Sequence, residues 1–250
     1  MLQKIYGFHA VTARIKQNAP TVSCVWLNKS RLDKRMQQLI DILKHHKIKH
    51  AFCSVEELHK MVENDVSHQG VVAEVEYIKL DTDIDSILDK IDNNNQKAHI
   101  LILDGITDPH NLGACFRVAD ASGVHAIIAA KDNSAPINAA VAKASSGAAE
   151  NIPYITVTNL ARTITHLQER GIWIIGTSDK ADYNLYDKKL DLNMPLAWVM
   201  GSEGKGMRQN ITQKCDFLIS IPMHGIVSSL NISVAAGICL YETLRQRRMF

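Results

Sequence analysis

A β-branched and aromatic run at Val22–Leu27 is followed by apolar positions Met36, Leu39, Ile40 and Leu43 at helical spacing, then by a short apolar run at Ala51–Cys53. This pattern predicts strand, helix and strand. Ser54 with Glu57 three residues later has the form of a capping box and opens a helix over Val55–Val62, after which Gly70–Val75 predicts a returning strand. Residues 1–77 are therefore expected to form a small α/β unit. Between 78 and 97 the composition turns acidic and Asn-rich around one short amphipathic piece, Ile84–Ile91, and a linker is expected there. Over 98–250, strands apolar throughout alternate with helical patterns: HILILD and a helix from about Asn111, HAIIAA and Asn138–Ser145, YITV and Leu160–Gln168, then IWIIG, LAWVMG and FLISI. Strands without a polar face, separated by helices, predict a Rossmann-like α/β domain whose parallel sheet has helices on both faces. The final segment, Ser229–Arg248, predicts a long core or interface helix ending in the cations RQRR, which suit the negative end of its dipole.

Composition refines this picture only locally. With 46% hydrophobic and 22% charged residues the chain is an ordinary folded protein, and the net charge of +2 is compatible with a nucleic-acid partner without requiring one. Two local clusters say more: Lys29, Arg31, Lys34 and Arg35, and then Lys44, His45, His46, Lys47, Lys49 and His50. Each reads either as a solvated face or as phosphate contacts. The five cysteines lack ligand or disulfide-framework spacing, so no metal is expected and a reducing cytosol suits them. No apolar run has the length to cross a bilayer, and MLQKIYGFHAV lacks the apolar core of a signal peptide. The expected setting is cytoplasmic, with no membrane partner.

Three segments carry candidate chemistry, each at the end of an apolar strand, where α/β sheets bind ligands. The first runs from Leu103 across the Asp108–Pro109 turn into a helix bearing Asn111 and Arg117; by itself, Asn111 reads equally as an N-cap and Arg117 as a surface arginine. The second, Met200–Met207, holds three glycines that permit close approach to main-chain groups, or simply a tight turn; neither the P-loop nor the G-x-G-x-x-G spacing is met. The third, Ile221–Asn231, presents Ser228, Ser229 and Asn231 near a helix start, as caps or as pocket-lining groups.

Taken in order, an N-x-L/G…R segment, a G-S-E-G-x-G segment and an I-P-M-x-G…S-L-N-x-S-x-A segment resemble the three motifs of the SpoU (TrmH-type) RNA ribose methyltransferases of the SPOUT superfamily, over about residues 98–250. Tyr6-Gly-Phe-His-Ala-Val and His68-Gln-Gly-Val-Val-Ala are similar to the ribosomal-protein-like substrate-binding domain of the subgroup acting on a guanosine in large-subunit rRNA. The resemblance implies a C-terminal trefoil knot, S-adenosylmethionine as methyl donor, 23S rRNA as partner, and a homodimer whose active site is completed across the interface. It also implies that Gly201, Ile221 and Leu230 hold the adenosine part, with Thr177 at the neighbouring strand end. Arg117 is implied in activating the ribose 2′-OH, with Asn111, Glu203, Ser229 and Asn231 completing the hydrogen-bonded surround.

A guanidinium that stays protonated to pH values above about 12 is a poor base, so Arg117 is expected to act by pairing with the adjacent phosphate and orienting the hydroxyl. Glu203 is the carboxylate expected to orient Arg117 or collect a proton. Tyr6, Phe8 and His9 are candidates for contact with an exposed nucleotide, Phe8 also for burial. Two other readings stay open: a non-catalytic RNA-binding ribosome-assembly factor, and the same chemistry on tRNA. A nucleotide-dependent oxidoreductase is disfavoured by the missing glycine fingerprint.

Overall fold

The computed structural model describes residues 2–62, 68–76, 80–181 and 183–247, with Gln17 described only in its backbone. Arg248, expected at the end of the last helix, and Tyr77 and Ile78, at the expected domain boundary, lie outside the described residues. Contacts divide the chain into two compact units, Met1–Lys79 and Leu80–Phe250.

The first unit runs β1 (Leu2–Tyr6), α1 (Phe8–Asn18), a 3-10 turn at Ala19–Thr21, β2 (Val22–Asn28), α2 (Lys34–His45), β3 (His50–Cys53), α3 (Val55–Met61) and β4 (Val71–Glu76). Its sheet has the order β1-β4-β2-β3; β4 is antiparallel to both neighbours, and β3 is parallel to β2. Side chains alternate across a strand, so Val71, Ala73 and Val75 face α1 and α2, while Val72 faces Leu58 of α3. The capping box is present in full: Ser54 Oγ accepts from Glu57 N, and Glu57 accepts from Ser54 N. β1 and α1 were not anticipated. β1 buries a single residue, Ile5, and it is ordered by pairing with β4, the last strand of the unit, which local periodicity does not register.

The second unit contains α4 (Ile84–Asn93), β5 (His99–Asp104), α5 (Pro109–Ala121), β6 (Ala126–Ala130), α6 (Ala139–Ser145), a 3-10 turn at Ala148–Glu150, β7 (Tyr154–Val157), α7 (Leu160–Glu169), β8 (Trp173–Thr177), β9 (Tyr183–Asn184), β10 (Leu196–Gly201), α8 (Gln209–Thr212), β11 (Phe217–Ser220) and α9 (Ile232–Arg247). The sheet order is β7-β6-β5-β10-β8-β11-β9, with every pairing parallel. Leu101 and Leu103 face a core built with α5, α6 and α9, whereas Ile100 and Ile102 face one built with α4, α7 and α8. Apolar strands with helices on both faces are what the sequence predicts. α4 lies within the stretch expected as a linker and buries Ile87, Leu88 and Ile91 against the second core.

Two helix starts differ from expectation. α5 begins at Pro109 with Asp108 as its cap, accepting from His110 N at 3.0 Å, so Asn111 is the third helical residue and not the cap. α9 begins at Ile232, with Ser228 and Ser229 ahead of it; Asn231 Oδ1 accepts from Ser233 N at 2.9 Å and from Ser233 Oγ at 2.7 Å. β9 and α8 escaped the sequence pattern because elements of two and four residues have no measurable period.

At the amino ends of the strands, Arg247 donates to the main-chain carbonyls of Ala98 at 2.9 Å and Met194 at 2.6 Å, tying the end of α9 to the starts of β5 and β10. Beside it His99 is 1% exposed, and burial, then the Arg247 and His125 charges, push its imidazole down to about 3 from 6.5. The unfolded chain therefore takes up a proton that the fold refuses. Stability attached to this group is complete above pH 6.5 and is lost as pH falls towards about 3, at about 1.4 kcal/mol per pH unit. Denaturant titrations of His99→Gln should show a shallower loss of stability on acidification than the parent; parallel curves would show that His99 has no such role.

Candidate active site

The sheet brings the carboxyl ends of β5, β10, β8 and β11 into one row. Gly201 lies in register with Asp104, Val199 with Gly176, and Ile219 with Thr177, so Asp104, Gly201, Thr177 and Ile221 stand along one edge of the sheet. Such an edge is where open α/β sheets leave a ligand crevice.

Asp104 is 2% exposed and anchors the loop that follows β10. Its Oδ2 accepts from Arg208 N at 2.8 Å, and its Oδ1 from Arg208 Nε at 2.7 Å, with Nη2 also 2.7 Å away. The exit of the loop is thereby fixed beside its entry. Ser202 and Gly206 close it from within, Ser202 N donating to Gly206 O at 3.1 Å and Gly206 N to Ser202 O at 2.9 Å. A Cβ on Gly201 would lie 2.1 Å from Gly206 C and Met207 N, so any side chain there would force the loop open. Gly206 itself turns at φ +66°, in the left-handed region that glycine favours.

At the loop tip Glu203 joins all three candidate segments. Its Oε1 accepts from Asn231 Nδ2 at 2.6 Å, from Asn111 Nδ2 at 3.2 Å and from Ile232 N at 3.4 Å. Asn231 Nδ2 also donates to Asn111 Oδ1 at 2.8 Å. Because Asn231 Oδ1 is engaged with Ser233, its amide can face the pair only through nitrogen. A carboxylate beside the first amide of α9 is also favoured by the helix dipole.

Arg117 does not join this cluster. It lies six residues beyond Asn111 on α5, which puts it about 120° around the helix and about 9 Å along it. Its side chain is exposed, and among the described residues it has no hydrogen-bond or ion-pair partner; the expected Glu203–Arg117 contact is replaced by the two asparagines. Thr177 is half-buried, its hydroxyl 3.4 Å from Val199 O. Ile221 and Leu230 are half-buried and Ser229 is exposed. Between Pro222 and Leu230 no main-chain group enters a backbone–backbone hydrogen bond among the described residues, which leaves a run of donors and acceptors open beside the sheet edge.

The sequence reading missed Asp104 and Arg208. The signal was present as an aspartate closing the otherwise apolar strand HILILD, a residue type costly to bury without partners. Among the described residues no cluster of three or more His, Cys, Asp or Glu is arranged to hold a metal ion, and no helix is long and apolar enough to cross a membrane.

Residues 98–241, more than half of the 250, match the model of the SpoU rRNA Methylase family. The chain belongs to the SpoU rRNA methylase family. Residues 4–79 match a second model, described as RNA 2′-O ribose methyltransferase substrate binding. Similar SpoU-family proteins include the 23S rRNA (guanosine-2′-O-)-methyltransferase RlmB of Ralstonia nicotianae, 50% identical over 97% of this chain and 95% of that protein. The RlmB of Pectobacterium atrosepticum is 50% identical over 99% of each. Among solved structures, the SpoU methyltransferase AviRb from Streptomyces viridochromogenes, in complex with the cofactor AdoMet, matches with a TM-score of 0.70 at 25% identity, covering 99% of this chain and 91% of that one. The A. aeolicus TrmH/SpoU tRNA modifying enzyme matches at 31% identity with a TM-score of 0.56, over 66% of this chain and 84% of that one.

In this SpoU-family chain the buried Asp104 carboxylate predicts a clear result. Asp104→Asn turns an amide N–H towards the donors of Arg208, and the expected cost is about 1–3 kcal/mol of stability. Hydrogen–deuterium exchange should quicken over 201–208; unchanged exchange there would show that another contact shapes the loop.

Proposed function

We propose that this chain transfers a methyl group from S-adenosylmethionine to the ribose 2′-OH of a guanosine in 23S rRNA, acting in the cytoplasm. The observation that carries the reading is the meeting of Asn111, Glu203 and Asn231 at the carboxyl edge of the parallel sheet, in a chain with full-length likeness to RlmB proteins. Residues 1–77 serve as the substrate-selecting domain and 98–250 as the methyltransferase domain; of the stretch 78–97 between them, α4 packs on the second core and belongs with it. β8 is lodged between β10 and β11, which follow it in sequence, and this order supports a C-terminal trefoil knot.

The donor fits the crevice on the chemistry of its walls. Unpaired main-chain groups of 222–230 suit the edge of an adenine, and the half-buried Ile221 and Leu230 suit its faces. Gly201, Ile221, Leu230 and Thr177 are the residues that hold it. When bound, it supplies a methyl group on a sulfonium.

The chain's own residues then act on the ribose. A 2′-OH is a weak nucleophile near neutral pH and must shed its proton as it attacks. Glu203 Oε1 is committed to Asn111, Asn231 and Ile232, so Oε2 is the oxygen that faces the hydroxyl proton. Ser229 completes the surround. Arg117 pairs with the phosphate next to the target ribose and positions it. Because Arg117 diverges from Asn111 on α5, it serves a cluster on a second copy of the chain, and the active form is a homodimer.

Arg117→Ala should retain donor binding in calorimetry while transfer of labelled methyl to unmodified 23S rRNA falls by roughly 100-fold or more. Transfer at the parent rate would remove Arg117 from the mechanism. Ribose-methylation mapping in rRNA from cells with and without the gene tests the substrate: all guanosine 2′-O-methyls remaining in the deletion strain would refute it.

A further inference from the structure

In the first unit Phe8 is 2% exposed, so its ring is not free to stack on a nucleotide as the sequence allowed. It belongs to the apolar core of the unit, and two cations lie against its ring as well. The guanidinium carbon of Arg31 lies 4.6 Å from the ring centroid and that of Arg35 lies 4.8 Å from it. An arginine over an aromatic ring is held against the ring's negative face, and those of its N–H groups not otherwise bonded remain available for an anion such as phosphate.

Arg31 is fixed further: Nη1 donates to Gln69 O at 2.6 Å and Nε donates to Asp33. The Asp33 carboxylate is in turn committed to capping α2, accepting from Met36 N at 2.9 Å, and these two bonds hold it below the usual carboxylate range. Lys29, Lys34 and Arg35 have no carboxylate within ion-pair distance among the described residues. Like charges gathered on one ring with a single acid between them are favourable when an anion bridges them. Leu32, in the middle of this cationic loop, is 86% exposed, an apolar surface suited to the face of an unstacked base.

We propose that Phe8 is a positioning residue that holds Arg31 and Arg35 as a paired guanidinium clamp for neighbouring phosphates of the RNA substrate, with Leu32 packing against an adjacent base. The proposal rests on the reading of the chain as an rRNA methyltransferase and gives its substrate-selecting domain a defined contact. It also separates the two basic clusters of the sequence, since the clamp lies at Lys29–Arg35 and needs nothing from Lys44–His50.

The test uses the full chain and an unmodified 23S rRNA transcript, with KM for RNA, KM for the donor, kcat, and the salt dependence of RNA binding as readouts. Arg35 is exposed, so Arg35→Ala and Arg35→Lys should fold. Arg35→Ala is expected to raise KM for RNA about ten-fold and to lower the slope of log affinity against log salt by about 0.7–0.9, leaving KM for the donor unchanged. Arg35→Lys should keep the slope yet lose part of the affinity, because the charge remains and the stacked fork does not. Phe8→Leu, checked for folding by its thermal transition, should behave as Arg35→Lys does. Combined with Arg35→Ala it should cost less than the sum of the two changes. An RNA KM within two-fold of the parent for Arg35→Ala, with the slope unmoved, would overturn the clamp. Full recovery of affinity in Arg35→Lys would overturn the role given to Phe8. Should Phe8→Leu fail to fold, the two Arg35 variants decide the matter alone. A parent protein that binds RNA with this salt slope but transfers no methyl would instead overturn the enzymatic reading and leave the clamp intact.

Discussion

A single carboxylate oxygen, Oε1 of Glu203, gathers segments that lie 92 residues before it and 28 residues after it in the chain. Each contact is near the surface and individually weak, yet together they set the relative positions of the first turn of α5, the glycine loop and the start of α9. The asparagines are suited to this role because an amide both donates and accepts, so each can join the carboxylate and its neighbour at once. Asn231 is further constrained by its cap to Ser233, which leaves its nitrogen pointing into the junction.

Beneath that exposed junction lies a buried one. Asp104, almost without solvent contact, takes both the main-chain N–H and the guanidinium of Arg208, so the loop between Gly201 and Met207 is closed at its base before anything binds at its tip. The absence of a side chain at Gly201 lets Gly206 and Met207 approach closely enough for that closure. A loop restrained at its base and joined at its tip loses little entropy when a ligand is added, which is the physical meaning of a preorganised site. The parallel sheet supplies the rest, since strands running the same way end at the same edge and offer main-chain groups of four strands to one crevice.

The two units handle charge differently. In the methyltransferase unit the side chains of Asn111, Glu203 and Asn231 satisfy one another, with Arg117 left over; in the small unit the cations around Phe8 outnumber the acid available to them. Surplus positive charge held in a fixed geometry on an aromatic ring is a costly arrangement for a surface that meets only water. It is economical for one that meets a polyanion.

The sequence by itself determined the fold class, the apolar strands alternating with helices that make a parallel sheet, the capping box at Ser54, and the identity of three segments whose order marks the family. These are local signals with periods of two or 3.6 residues, or short motifs, and they survive without tertiary contacts. Tertiary structure alone decided that β1 exists, because its partner is the last strand of its unit, and that Phe8 carries arginines and is closed to bases. It likewise decided that Asp104 anchors the loop and that Glu203 faces two asparagines in place of Arg117. Such pairings depend on where strands far apart in sequence come to lie beside one another. That information belongs to the packing of the sheet, because no local run of residues contains both partners.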